Sequence, residues 1–254
     1  MDDRDFEVKP KQKKKKFIHF DELILFEDER VIVINKPAGI SSIAGHDITE
    51  LNLLQLGRKY FPDLKICHRL DKFTSGVLLF AKSQEVYREI SMAFEHREVT
   101  KHYVALVHGA RDFKEFVIDL PIGETTKGTA KINYSSGKES VTIVDTAEVI
   151  GDFTLVDCHP LTGRLHQVRI HLASAGCPIV GDTEYGGKDI YLSELKHNFK
   201  FNRKEQEPAI NEGFLLHSRG LSIVLPGDEK ESIFVAPLSE KFETALKILR
   251  KYAK

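Results

Sequence analysis

The run Val31-Ile32-Val33-Ile34-Asn35-Lys36 is dominated by β-branched residues and stops at Pro37-Ala38-Gly39, so it reads as a buried strand ending in a turn. A second apolar run, Val77-Leu78-Leu79-Phe80-Ala81, is followed from Gln84 to His96 by Val86, Ile90 and Ala93 at helical spacing, which predicts a strand-to-helix unit. Tyr103 to Val107 and Phe153 to Cys158 predict two more strands. Between Phe116 and Ile150, Gly123, Gly128 and Ser135-Ser136-Gly137 separate short β-rich runs such as Val141 to Val144, the pattern of antiparallel hairpins. Leu165, Val168, Leu172 and Ala175 make one helical stripe, with Thr162 as its N-cap, Gly176 just past its end and Pro178 barring continuation. Residues 187–213 read as an insertion or loop with one short helix. Strands at Leu221 to Leu225 and Ser232 to Ala236 precede a terminal amphipathic helix from Glu240 to Lys251. The expected fold class is α+β: a mixed, mainly antiparallel sheet with flanking helices, forming one domain over residues 18–254.

Composition bounds what such a domain can do. Hydrophobic residues make up 41% and charged residues 30%, enough apolar material for a sizeable core. No run approaches the ~18 to 20 apolar residues of a membrane span, and the first sixteen residues are charged where a signal peptide would be apolar. A cytoplasmic protein with no membrane partner is expected, and a monomer is the default. Cys67, Cys158 and Cys177 lack CxxC spacing and read as reduced structural residues. With 37 basic and 38 acidic residues the net charge is −1, so any nucleic-acid site must be a local patch. Residues 1–17, with six lysines between Lys9 and Lys16, read as a flexible tail, either a solvated arm or one that binds a nucleic-acid backbone.

Two segments concentrate chemistry. Cys67-His68-Arg69-Leu70-Asp71-Lys72-Phe73-Thr74-Ser75-Gly76 packs many polar groups directly before a buried strand, at a desolvation cost unless they satisfy one another or face a cleft. Asp71 is its only carboxylate, and the basic groups around it favour the ionised form. The second segment, Thr162-Gly163-Arg164-Leu165-His166-Gln167-Val168-Arg169, opens the predicted helix, where free N–H groups favour an anion. Arg169 sits one position beyond Val168 in the apolar stripe, so it borders the core and needs a carboxylate, for which Asp71 is the candidate.

Other chemistries fail on spacing. His166 and His171 stand five apart with no carboxylate between them, unlike the HExxH zinc pair, and no metal is expected. The motifs GxSxG, GxGxxG and GxxxxGK[ST] are absent, and a lone aspartate makes a poor glycosidase.

His68-Arg69-Leu70-Asp71 with Thr74-Ser75-Gly76 and Ala81-Lys82 resembles the HRLDxxTSGxxxxAK signature of the RluA family of RNA pseudouridine synthases. The likeness extends to Asn35-Lys36-Pro37-Ala38-Gly39, to Lys101-His102-Tyr103 with Ala105 and Gly109, and to Thr162-Gly163-Arg164 through Arg169. It continues through Gly181-Asp182 and Tyr185-Gly186 to His217-Ser218-Arg219 and Ala236-Pro237. Two departures stand out. Ile40-Ser41-Ser42-Ile43-Ala44-Gly45 replaces the family's Val-His-Pro segment, and too few residues precede the first strand for the S4 RNA-binding domain of many relatives.

The resemblance implies the pseudouridine synthase catalytic fold and an isomerase, an intramolecular transferase needing no cofactor. It would convert specific uridines of structured RNA, ribosomal RNA favoured over transfer RNA, to pseudouridine. It also implies Asp71 as the catalytic carboxylate at C1′, Tyr103 against the uracil, and Arg169 as the partner of Asp71. Arg69 would enter the RNA stack, Arg164 would bind phosphate or brace its loop, and His68 and Thr74 would orient the Asp71 loop. His166 and Gln167 complete the implied substrate- and RNA-binding set. A non-catalytic RNA-binding or ribosome-assembly factor on the same fold is the alternative, and it predicts a degraded aspartate or tyrosine; both are intact. A small-molecule hydrolase using Asp71 and His68 would instead act on free nucleosides.

Overall fold

A computed structural model describes residues 18–45, 50–126, 128–196, 199, 207–211 and 213–253. The lysine-rich segment 1–17 lies outside the described residues. The strands are β1 (Ile24–Glu27), β2 (Val31–Lys36), β3 (Lys65–Ile66), β4 (Ser75–Ala81), β5 (Thr100–His108), β6 (Phe116–Asp119), β7 (Ile122–Glu124), β8 (Ala130–Ile132), β9 (Val141–Ile150), β10 (Phe153–Pro160), β11 (Leu216–Val224) and β12 (Glu231–Val235). The helices are α1 (Leu53–Tyr60), α2 (Gln84–Glu95), α3 (Gln167–Ser174), α4 (Leu192–Leu195) and α5 (Glu240–Tyr252).

Ten strands form one sheet in the order β1-β2-β4-β11-β5-β10-β9-β6, with β3 added to β4 and β12 to β11. Every pairing is antiparallel except β4 with β11, so the expected mixed, mainly antiparallel sheet is what forms. β7 and β8 make a separate hairpin. The strand β11, late in sequence, lies between β4 and β5 and joins the two halves of the sheet. Gly76 makes that junction possible: at φ +111, a Cβ there would meet the Ser218 carbonyl oxygen of β11.

The continuous apolar runs of β2 and β4 have a direct cause in the layers that cover them. Val31, Val33, Val77 and Leu79 pack with Ile90 of α2, while Ile32, Ile34, Leu78 and Phe80 pack on the opposite face with Leu53 of α1. A strand buried on both faces has no polar alternation to show. In the other half, Ala105 and Val107 of β5 pack with Val168 and Leu172 of α3, and Val104 and Leu106 pack with Phe242 and Leu246 of α5. Tyr103 touches both the α1 cluster and the α3 cluster, so it marks where the two halves meet on that face.

Two expectations need correction. α1 is not among the elements the spacing predicts, because it is eight residues long and contains Gly57, a poor helix former. Asn52 compensates with a capping box to Gln55, and Gly57 lets the helix approach Leu64 and Phe20. The helix predicted to be capped by Thr162 starts at Gln167 instead. The Thr162 hydroxyl is already engaged, donating to Gln167 Oε1 at 2.7 Å and accepting from Val141 N at 3.0 Å. The chain therefore runs on as a turn, and His166 enters the helix in the left-handed region at φ 51. Gly176 does follow its end, at φ +74.

Candidate active site

Lys36 ends β2 with its ammonium beneath the loop that carries Asp71. It is wholly buried and donates to the carbonyls of Pro37 (3.1 Å), Lys72 (3.0 Å) and Thr74 (2.7 Å). Burial pulls its pKa down to about 7, although the charge of Asp71 pulls the other way. Above the lysine, Thr74 N closes a turn onto Asp71 O at 3.1 Å, and the Ser42 hydroxyl bonds both the amide and the carbonyl of Leu70. The loop is therefore held through backbone atoms of Leu70, Asp71, Lys72 and Thr74, and none of these bonds uses the Asp71 carboxylate.

Lys36→Met would orphan three buried carbonyl contacts. Chemical denaturation at pH 7 should show a loss of at least about 2 kcal/mol. The unfolded chain keeps this proton to the ordinary lysine value of 10.5 and the folded chain only to about 7. Unfolded protein binds more protons across that window, so this group's contribution to stability rises with pH there. The gap between wild type and Lys36→Met should widen accordingly.

His68 and Thr74, expected to orient the Asp71 loop, are engaged by the fold beside it, and His68 also lines the cleft that Asp71 faces. His68 Nε2 accepts from Leu79 N at 3.1 Å, its ring lies against Phe94, and burial lowers its pKa to about 3. Thr74 is 2% exposed. Gln167 is likewise buried, its amide used up on Thr162, Arg164 N, Val141 O and Thr142. These three residues brace the site from within.

Arg169, on α3, reaches Asp71 as expected, but only at 3.3 Å through Nη1. Its principal partner is Asp182, gripped by Nε at 2.7 Å and Nη2 at 2.8 Å, and Nη2 also meets Glu184 at 2.6 Å. The expectation that Asp71 is the main partner is thus corrected. A guanidinium buried to this extent satisfies its fork against the fully enclosed carboxylate, and Asp182 is 1% exposed. Burial opposes the charge of Arg169, but the carboxylates outweigh it and raise its pKa. Phe214 and Tyr185 flank the guanidinium, with ring centroids 4.3 and 4.9 Å away.

Asp71 and Tyr103 open onto a cleft of about 1570 Å³. That exceeds the roughly 300–1,000 Å³ of ordinary small-molecule pockets and suits a segment of polymer. Burial first, and then the charge of Asp71, push the Tyr103 phenol up to about 12, with a Ser218 hydrogen bond acting the other way. Tyr103 is therefore a neutral proton donor at pH 7. Cys67 also lines the cleft, but burial raises its thiol to about 12 and removes it as a nucleophile.

The charge of the cleft is divided. Its floor holds three carboxylates, Asp71, Asp182 and Glu184, around one guanidinium. Its rim carries Arg69, Arg97, Lys101 and Arg164. Arg69 is exposed, and no side chain among the described residues pairs with it. Lys101 donates to Thr162 O at 2.8 Å; burial, then Arg97 and Arg164, lower its pKa to about 8. Arg164 braces its own segment through Nε to Glu139 O at 3.1 Å, and Arg97 pairs with the Glu139 carboxylate at 2.8 Å. This is the local basic patch that a net charge of −1 requires of a nucleic-acid binder. Among the described residues no three His, Cys, Asp or Glu side chains are grouped to hold a metal ion.

Sequence reasoning assigned no role to Lys36, Asp182, Glu184, Phe214, Arg97 or Lys101. Lys36, Lys101 and Asp182 stand inside the stretches that resemble the family, so position was available there as a signal. Glu184, Phe214 and Arg97 had none.

Comparison with known proteins agrees with this geometry. Residues 30–174 match the RNA pseudouridylate synthase family. A ribosomal large subunit pseudouridine synthase C from Buchnera aphidicola is 35% identical, covering 91% of this chain and 72% of that protein. The dual-specificity RNA pseudouridine synthase RluA of Escherichia coli is 32% identical over 85% of this chain and 92% of its own. Among solved structures, human RNA pseudouridylate synthase domain containing 4 superposes with a TM-score of 0.68 at 26% identity, covering 91% of this chain and 94% of that one.

Proposed function

Because this chain belongs to the RluA family of RNA pseudouridine synthases, and is thus an isomerase of uridine in RNA, we propose that its target is a uridine of large-subunit ribosomal RNA and that Asp71, Tyr103 and Arg169 carry the reaction. The observation that carries this reading is the Asp71 carboxylate at the floor of a basic-rimmed cleft, with Tyr103 beside it and Arg169 behind one of its oxygens. Relatives named for the large ribosomal subunit favour ribosomal RNA over transfer RNA. The same reading takes residues 18–254 as one catalytic domain acting as a monomer in the cytoplasm. Its support is the ten-stranded sheet that both halves of the domain share; among the described residues no helix is long and apolar enough to cross a membrane.

Isomerisation breaks the N1–C1′ bond, turns the uracil within the site and joins C5 to C1′. N1 must gain a proton and C5 must lose one. Positive charge developing at C1′ is stabilised by Asp71, helped by the surplus of carboxylates on the floor. The neutral Tyr103 phenol lies where the base turns and serves the proton exchange. Arg69 is free to fill the gap left in the RNA stack when the target base leaves it, as suits a planar, weakly hydrated cation. Lys101, Arg97 and Arg164 on the rim suit the phosphates.

Pseudouridine mapping of total RNA tests the target. A strain lacking this protein should lose one or more sites in large-subunit ribosomal RNA and regain them on complementation with wild type but not with Asp71→Asn. Loss confined to transfer RNA would overturn the ribosomal assignment. For Tyr103→Phe, single-turnover rates should fall at least about tenfold with RNA affinity nearly unchanged; an unaltered rate would reduce Tyr103 to packing.

A further inference from the structure

His166 is held at the active site in a way that its place before α3 does not require. Its backbone adopts the left-handed region at φ 51, rare for a residue with a side chain, and its side chain is 14% exposed. The strain turns the ring into the cleft beside Asp71. Nδ1 lies 2.9 Å from the Tyr185 hydroxyl, which also accepts from Ala130 N at 3.0 Å and lies 3.2 Å from Ala130 O. The ring is thus tied through Tyr185 to the β7–β8 hairpin, and its other nitrogen, Nε2, faces Asp71 Oδ1 at 3.8 Å.

That distance is too long for a direct hydrogen bond, and Arg169 Nη1 approaches the other oxygen, Oδ2. Oδ1 and Nε2 therefore flank a notch that opens on the cleft. A hydroxyl oxygen about 2.8 Å from each would bridge them. A hydroxyl also suits both tautomers of the ring. With the proton on Nε2 it accepts from His166 and donates to Asp71; with the proton on Nδ1 it donates into the notch.

We propose that this notch binds the 2′-hydroxyl of the target ribose, so that His166, positioned by Tyr185, makes the enzyme selective for ribonucleotides. The proposal rests on the placement of Asp71 at C1′. The 2′-hydroxyl is borne by the carbon bonded to C1′, so a carboxylate stationed at C1′ has that group within reach. Phosphate contacts on the rim are common to RNA and DNA backbones and cannot make this distinction.

The test is a two-by-two cycle with an RNA stem-loop spanning the mapped uridine, carrying either uridine or 2′-deoxyuridine at that position. Wild type is compared with His166→Asn, which tolerates the left-handed backbone but is too short to bridge, and with Tyr185→Phe, which keeps the ring but releases Nδ1. Circular dichroism confirms that each variant folds. Wild type should bind the deoxy RNA about tenfold more weakly than the ribo RNA. His166→Asn should show less than about a twofold difference, and Tyr185→Phe an intermediate one. Any effect of the 2′ group on the chemistry is common to all three proteins and cancels in the ratio. Equal discrimination by wild type and His166→Asn overturns the notch while leaving the catalytic assignment intact. A wild type that modifies neither RNA sinks the catalytic assignment itself.

Discussion

Asp71→Asn should abolish pseudouridine formation, lowering the single-turnover rate by at least about a thousandfold while RNA affinity changes less than about threefold. The substitution is nearly isosteric and keeps the Thr74 turn and the Ser42 bonds to Leu70, which involve backbone atoms of the loop. It costs little stability, because Arg169 loses only its longest contact and keeps Asp182 and Glu184. A melting temperature within a few degrees of wild type with no detectable product would place the carboxylate charge in the chemistry. Turnover near the wild-type rate would remove Asp71 from it.

Arg169→Ala is expected to act on a different scale. The bidentate grip on Asp182 disappears, and a carboxylate that is 1% exposed is left without its cation. Breaking a buried pair from one side costs about 3–5 kcal/mol. Urea denaturation should show that loss, and the folded fraction should also be slow, because Asp71 loses the group behind Oδ2. Combining it with Asp182→Asn separates the two effects: stability should recover by about 1–3 kcal/mol as the unpaired charge is removed, and the rate should not. Recovery of both together would mean that Arg169 serves only the fold.

Much of the sheet was legible in the chain. Val31–Lys36 is predicted at the bounds it adopts, because its four β-branched residues are covered on both faces and Pro37 stops the run after Lys36. Leu221 marked β11 but missed its start at Leu216, since His217, Ser218, Arg219 and Gly220 break the apolar pattern while the backbone pairs on. At the site, Asp71 and Arg169 could be singled out from residue type and position, and Tyr103 only through the resemblance to the family. The partner of Arg169 could not, because Asp182 is thirteen residues away and is brought round by a turn. For buried Lys36 the only signal was its place in a family-like stretch: its role lies in three carbonyl oxygens, and backbone atoms leave no trace in residue identity.

The position of β11 has a consequence for how the protein comes into being. Asp71 belongs to one half of the sheet and Tyr103 to the other, and the strand that sets them side by side is synthesised after both. A ribosome that has made every residue named in the chemistry has still not made an active site. Nascent chains would carry an open seam between β4 and β5, so activity should switch on only once residues 216–224 have left the exit tunnel and zipped into place, a slow, long-range step of folding.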